Sequence, residues 1–324
     1  MKRIALAAIT SALVFTVPAR AETWTAYTFG PSETLANVQG LRRVLDGVQT
    51  ATNGDIKFRL RLAGALPIQS TDITQAVGDG TVLFADDGLF LGNVPIAGIL
   101  RLPMLLRSRE DYDRAAAIME PYIRKGFESK GVIVLGYFLF PHQVPFSTKP
   151  LATASEFKGQ KLRVSSPEQA RFVQIMGGVP VTMGAPEVPS GLQHGAIDGV
   201  FTASAGGGKI WGEMLKSNYR LPVSYFDGVY LVNKAAFEKL SPEVQAKIRQ
   251  AVKNIAPSTT EQLFKEESEV TANLKSKGMT ITEPTQAEID EVTKLVSPYW
   301  NEWATQQGTE ATEALAKVRS ALGR

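Results

Sequence analysis

Apolar and polar positions along this chain recur with two periods, and the two alternate. From Glu33 onward, Leu35, Val38, Leu41, Leu45 and Val48 return at gaps of three and four, which places them on one helical face. Asn53-Gly54 ends that helix. Ile56, Phe58, Leu60 and Leu62 then alternate with Lys57, Arg59 and Arg61, the period of a strand with one buried face. Upstream, Trp24 to Tyr27 forms a short strand that Gly30-Pro31-Ser32 breaks.

The same alternation continues downstream. Tyr112, Ala116, Met119, Ile123 and Phe127 mark a helix that Pro121 is expected to kink or split. Gly131 to Tyr137 reads as a buried strand, and Lys161 to Val164 as another. Ser166-Pro167-Glu168 supplies a helix N-cap followed by proline at the first helical position, and Ser241-Pro242-Glu243 repeats the signal before Val244, Ile248, Val252 and Ile255. Thr285 with Glu288 forms a capping box ahead of Ile289, Val292 and Leu295. Strands alternating with helices predict an α/β protein with parallel-rich sheets flanked by helices.

Composition adds a compartment. Lys2 and Arg3, the apolar run Ile4 to Val17, and Ala19-Arg20-Ala21 have the layout of a secretory signal with a small-residue cleavage site, so residues 1–21 are expected to be removed and the mature chain to begin at Glu22. No later stretch approaches the roughly 20 apolar residues that a spanning helix needs. Loss of Lys2, Arg3 and Arg20 reduces the 35 basic residues to 32, equal to the 32 acidic ones. A near-neutral mature chain offers no electrostatic footprint for nucleic acid or an anionic membrane surface. The absence of cysteine excludes disulfides, so an exported chain must rely on ordinary cores, and its length suits two lobes better than one core.

Four segments carry a family resemblance. They are Leu102-Pro103-Met104-Leu105; Phe157-Lys158-Gly159-Gln160-Lys161-Leu162-Arg163-Val164; Gly177-Gly178-Val179-Pro180-Val181 running on through Gly191-Leu192-Gln193-His194-Gly195-Ala196-Ile197-Asp198-Gly199; and Val229-Tyr230-Leu231-Val232-Asn233-Lys234 with Leu240-Ser241-Pro242. In order and spacing, Trp24 to Leu274 resembles the extracytoplasmic solute receptors of tripartite ATP-independent periplasmic (TRAP) transporters, of the dicarboxylate-receptor type. The resemblance implies a two-lobed periplasmic binding protein, each lobe a mixed sheet flanked by helices, with the ligand cleft between lobes. The expected division is residues 22–141 for the first lobe, completed by about 229–268, and 142–228 for the second, completed by C-terminal helices at about 269–324. It also implies a non-catalytic, cofactor-free, monomeric protein that delivers a small carboxylate to the membrane subunits of a transporter. A periplasmic ligand sensor for a signalling receptor is the alternative.

Arg163 is the residue that the resemblance places against the ligand carboxylate, and its planar pair of parallel donors suits that partner. Sialic-acid-binding members carry a second arginine where this chain has Gln143, and many members have an asparagine where it has Thr202. Ala185 stands in place of a frequent aromatic. The pocket is therefore expected to have lost a charge and some polarity, and Tyr137, Phe138 and Phe140 leave room for an aromatic or branched-chain acid or else pack a buried strand. Tyr27 matches a ligand-facing family position, with a rim hydroxyl or a core aromatic as alternatives. Asp86-Asp87 reads as a ligand, metal or acid-base pair, or as a solvated turn before Gly88. His194 reads as a helix-end cation. Gly206-Gly207-Gly208-Lys209 lacks phosphate-loop spacing, with Ile210 where a hydroxyl is needed, and reads as a loop that approaches the ligand or a helix closely. No G-x-S-x-G elbow is present.

Overall fold

The computed structural model describes residues 22–324, so the expected signal segment lies outside the described residues. The strands are β1 (Glu22–Tyr27), β2 (Ile56–Arg61), β3 (Phe84–Asp87), β4 (Val132–Ser147), β5 (Lys161–Val164), β6 (Val179–Thr182), β7 (Gly199–Thr202), β8 (Ser217–Tyr219), β9 (Ser224–Asn233) and β10 (Thr280–Thr282). They join in the order β2-β1-β3-β9-β4-β7-β5-β6, with β8 pairing both β4 and β10. β1 lies parallel to β2 and β3, and β5 parallel to β6 and β7. β9 runs antiparallel to β3 and β4 in the first lobe, and β4 runs antiparallel to β7 and β8 in the second, which makes each lobe's sheet mixed.

The first lobe holds β2, β1, β3, most of β9 and the first half of β4. The second holds the rest of β4 with β7, β5, β6, β8 and β10. The strand expected at Gly131 to Tyr137 is thus the first half of a 16-residue strand that crosses from lobe to lobe. Its register against β9 slips between Phe140 and Gln143, a bulge that accommodates Pro141, which has no N–H to give to a ladder.

Helix signals in the sequence locate most of the helices. The first runs Ala36–Ala51 and stops where Asn53 and Gly54 take positive φ values of 53° and 79°. Ser166 and Ser241 accept hydrogen bonds from Gln169 N and Val244 N at their helix starts, and the Thr285–Glu288 capping box is complete. Pro121 neither splits nor ends its helix, which runs unbroken over Arg109–Glu128. Pro121 is on the exposed face, while Tyr112, Met119, Ile123 and Phe127 are buried opposite. The carbonyl that loses its partner can therefore turn to water while packing holds the helix.

The helix introduced by Ser241 continues for 35 residues, Pro242–Ser276, and ties the lobes together. Small residues let it approach closely: a Cβ added at Gly40 would stand 2.1 Å from Thr259 Oγ1, and one at Gly136 would stand 2.9 Å from Val252 Cγ1. Farther along, Leu274 enters the second lobe's apolar cluster with Val144, Phe146, Val200 and Trp211. One expected boundary needs correction. The last helix, Thr309–Leu322, packs on Arg109–Glu128 of the first lobe, burying Ala311, Ala314, Leu315 and Val318, so residues 269–324 do not simply complete the second lobe. Where this helix docks depends on the tertiary path.

Candidate ligand-binding cleft

Arg163 occupies the middle of β5, between β7 and β6. Alternation along this strand sends Leu162 and Val164 into the core and Arg163 to the opposite side, into a cavity between the lobes of about 530 Å³ counting its open mouth. Only 5 % of the residue is exposed. Its Nε donates to Met183 O at 3.0 Å, and the guanidinium carbon stands 5.7 Å from the Trp211 ring centre. Among the described residues no carboxylate lies within ion-pair distance of it. Burial lowers its pKa to about 10, and Glu187 only partly opposes the shift. Among the described residues the terminal nitrogens have no hydrogen-bond partner.

Three other expected site residues line the same cavity. Gln143 follows the β4 bulge and donates from Nε2 to Pro141 O at 3.2 Å. Phe140 precedes the bulge and packs on Phe226 and Phe29, with ring centres 5.3 and 6.3 Å away. Thr202, at the end of β7, accepts from Gly207 N at 2.8 Å and donates to Ala203 O at 3.3 Å, closing the glycine loop Ser204–Gly208. That loop comes close to the cavity wall: a Cβ on Gly207 would fall 2.2 Å from the Trp211 ring.

Tyr27 and Asp87 are placed elsewhere. The Tyr27 hydroxyl donates to Ile68 O at 3.3 Å and accepts from Gly64 N at 3.2 Å, pinning the loop after β2 with its ring in the core. Asp86 and Asp87 form neither a solvated turn nor a ligand pair, because β3 lies between β1 and β9 and both carboxylates are fully buried. Asp86 accepts from Phe29 N at 3.2 Å and from Asn37 Nδ2 at 3.1 Å; Asp87 accepts from Thr74 Oγ1 at 2.6 Å and from Leu89 N at 2.8 Å. Phe29, Asn37 and Leu89 all face the cavity, so the aspartates act through them by fixing the first lobe's wall.

Sequence reasoning missed Phe29, Asn37, Trp211 and Phe226. Asn37 alone carried a readable signal, since it falls four residues before Leu41 on the first helix's apolar stripe, where a polar residue calls for a buried partner. Of the histidines, His142 stacks on Tyr225 at 3.9 Å, and burial pushes its pKa down to about 4. His194 is exposed at a helix end, with Nδ1 2.9 Å from Ser190 O. Among the described residues no group of three or more His, Asp or Glu could hold a metal ion.

The lobes meet at the mouth. Lys209 Nζ, from the second lobe, donates to Thr34 O of the first at 2.8 Å and pairs with Glu266 of the long helix at 2.9 Å. On another part of the rim a Cβ at Gly64 would lie 3.9 Å from Pro186. The cleft is closed around its cavity.

Closure over one buried cation is the architecture of a binding protein, and comparison with known sequences agrees. The family described as bacterial extracellular solute-binding protein, family 7 (DctP), matches residues 31–307. The chain belongs to this family. It is 27% identical over 219 residues to the uncharacterised protein YiiZ of Salmonella typhimurium, a match that takes in 64% of this chain and spans 65% of that protein's length. It is 22% identical over 285 residues to the sialic acid-binding periplasmic protein SiaP of Vibrio cholerae, covering 86% of this chain and 87% of SiaP. Its fold matches the solved structure of DctP7, a Bordetella pertussis extracytoplasmic solute receptor binding pyroglutamic acid, with a TM-score of 0.85 and 22% identity over 92% of this chain and 100% of the other.

Burial has a consequence for stability. It raises the Asp86 and Asp87 pKa values to about 7 and about 6, from an ordinary 3.8. The folded chain therefore holds these protons more tightly than the unfolded chain. Their favourable effect on folding is complete below about pH 4 and is lost as pH rises through about 6 to 7. Glu168, also buried, shifts in the same direction. Asp86→Asn should flatten the fall in melting temperature between about pH 5 and pH 8, measured by calorimetry across that range. An unchanged slope would remove Asp86 as its source.

Proposed function

We propose that this protein is the periplasmic receptor of a TRAP-type secondary transporter. It captures one small organic acid between its lobes and presents the closed form to the membrane subunits. The observation that carries this reading is the Arg163 guanidinium, buried without a carboxylate partner and opening on the interlobe cavity. A buried cation is costly unless paired, so the cavity favours an anion that completes it. Because Nε is committed to Met183 O, the plane of the guanidinium is fixed and its two terminal nitrogens form the fork that a carboxylate matches. Lobe closure then removes water from the pair and strengthens it.

Expression with export, release of the bound molecule by denaturation and mass spectrometry tests this directly. One carboxylic acid per chain is the expected result. A neutral sugar or a peptide would overturn it. Sequencing of the same periplasmic material should begin at Glu22, and an intact Met1 in a membrane fraction would contradict export by a cleaved signal.

The glycine loop yields a further expected result. Gly207→Ala drives a methyl group into the Trp211 ring, which stands beside Arg163. Overpacking of this kind costs about 1–3 kcal/mol. Where the ring gives way, affinity for the copurifying acid should fall by about tenfold, read by calorimetry, together with a shift in tryptophan fluorescence. Wild-type affinity and spectrum would show that the loop accommodates the methyl group without moving the ring.

A further inference from the structure

Every charge and ring in the cavity bears on which acid fits. We infer that the site selects a flat, singly charged ring acid and rejects dicarboxylates and polyhydroxy acids. This rests on the reading that Arg163 receives the ligand carboxylate. Among the described residues, Arg163 is the only charged side chain lining the cavity. Two second-lobe cations outside the cavity lining are already paired: Arg220 with Glu267 at 2.8 Å and Lys209 with Glu266 at 2.9 Å. One carboxylate neutralises the site. A second would be buried in the closed cleft with no cation to meet it, and an unpaired buried charge is among the most unfavourable groups a protein can hold.

The polar inventory argues against a polyol in the same way. Thr202 is occupied by Gly207 N and Ala203 O, and the Ser165 hydroxyl donates to Gln169 Oε1 at 3.1 Å. Gln143 and Asn37 have each given an amide N–H to a protein acceptor, Pro141 O and Asp86. What remains is mainly two amide groups on opposite walls, enough for one or two polar substituents and too few for a ring of hydroxyls. The rest of the wall is aromatic. Phe29, Phe140 and Phe226 pack mutually, with ring centres 5.3–6.3 Å apart, and they present a continuous apolar surface against which a planar ring can rest. Discrimination of this type comes as much from groups left unpaired by the wrong ligand as from contacts to the right one.

The test is calorimetric titration of ligand-stripped protein with L-pyroglutamate, benzoate, succinate and D-galacturonate, for wild type, Gln143→Arg and Arg163→Ala. At least one of the two ring monocarboxylates should bind wild type at least about tenfold more tightly than succinate and galacturonate. Gln143→Arg adds the missing second cation. It should shift the ratio toward succinate by about tenfold or more, and thermal melting establishes that the variant is folded. Succinate or galacturonate binding wild type as tightly as the better ring acid, or no measurable binding of either ring acid, would overturn the selectivity. So would a folded Gln143→Arg with an unmoved ratio. Unchanged ring-acid binding by Arg163→Ala would instead defeat the underlying placement of the carboxylate, so the two failures are distinct.

Discussion

Arg163→Ala should lower affinity for the bound acid by roughly thirty-fold or more while leaving the unliganded protein as stable as wild type or slightly more so. The first effect follows from stranding a desolvated anion without its partner, a loss of about 2–5 kcal/mol. The second follows from what the protein itself supplies to Arg163. It has one hydrogen bond to Met183 O and a ring beside it, and no carboxylate of the described residues pairs with it. Burial holds its pKa down at about 10, the mark of a charge that the fold disfavours. Removing an uncompensated charge relieves a strain and deletes no pair. Arg163→Lys should restore only part of the affinity, because one ammonium cannot hold Met183 O and also offer parallel donors to a carboxylate. Paired calorimetry and thermal melting, with and without ligand, check both signs. Unchanged affinity in the alanine variant would take Arg163 out of the site, and a large loss of unliganded stability would make it a structural residue.

Local chemistry was the readable part of this chain. Capping serines, a capping box and the three-four spacing of apolar residues act within a few positions, and the helices they mark start where those signals stand. The strand around Arg163 was readable for the same reason: its alternation sends the guanidinium to one side whatever surrounds it. Arg163, Gln143, Phe140 and Thr202 come from three strands of one connected sheet and converge on the cavity. Phe29, Gly30 and Pro31 of the first lobe meet Arg163 and Thr202 of the second only because the lobes close on each other.

The positions that the local pattern does not resolve share a cause. The strand expected at Gly131 to Tyr137 runs on to Ser147 through Pro141 and Pro145, because a bulge at the lobe junction absorbs the first. Asp86 and Asp87 carry charge, and charge usually marks the surface. Here they lie between flanking strands and accept backbone and side-chain donors from the loops that form the cleft, a role that no local pattern announces. Phe29 and Phe226 lie nearly two hundred positions apart and meet with ring centres 6.0 Å apart. Their separation by sequence hides a contact that the cleft depends on.

The largest loss of stability is expected behind that aromatic wall. Arg101 and Asp227 form a pair at 2.7 Å with each side chain 2 % exposed, and Arg101 donates further to Gly88 O and Asp227 O at 2.7 Å. Its guanidinium lies 4.3 Å from the Phe226 ring centre and 4.8 Å from that of Phe90. Asp227→Ala would leave, without its ion-pair partner, a buried cation that cannot deprotonate, the condition under which breaking a buried pair costs about 3–5 kcal/mol. For a chain of this size that corresponds to a fall in melting temperature on the order of 10 °C. Asp113→Ala breaks the exposed pair with Arg109 and serves as the control, with a change below about 1 kcal/mol, as surface pairs generally show. Because Phe226 borders both Arg101 and the ligand cavity, Asp227→Ala should also weaken acid binding in the protein that remains folded. Equal melting temperatures for the two variants would mean that the buried pair contributes no more than the exposed one, and that the carbonyls of Gly88 and Asp227, with the two rings, suffice to hold Arg101.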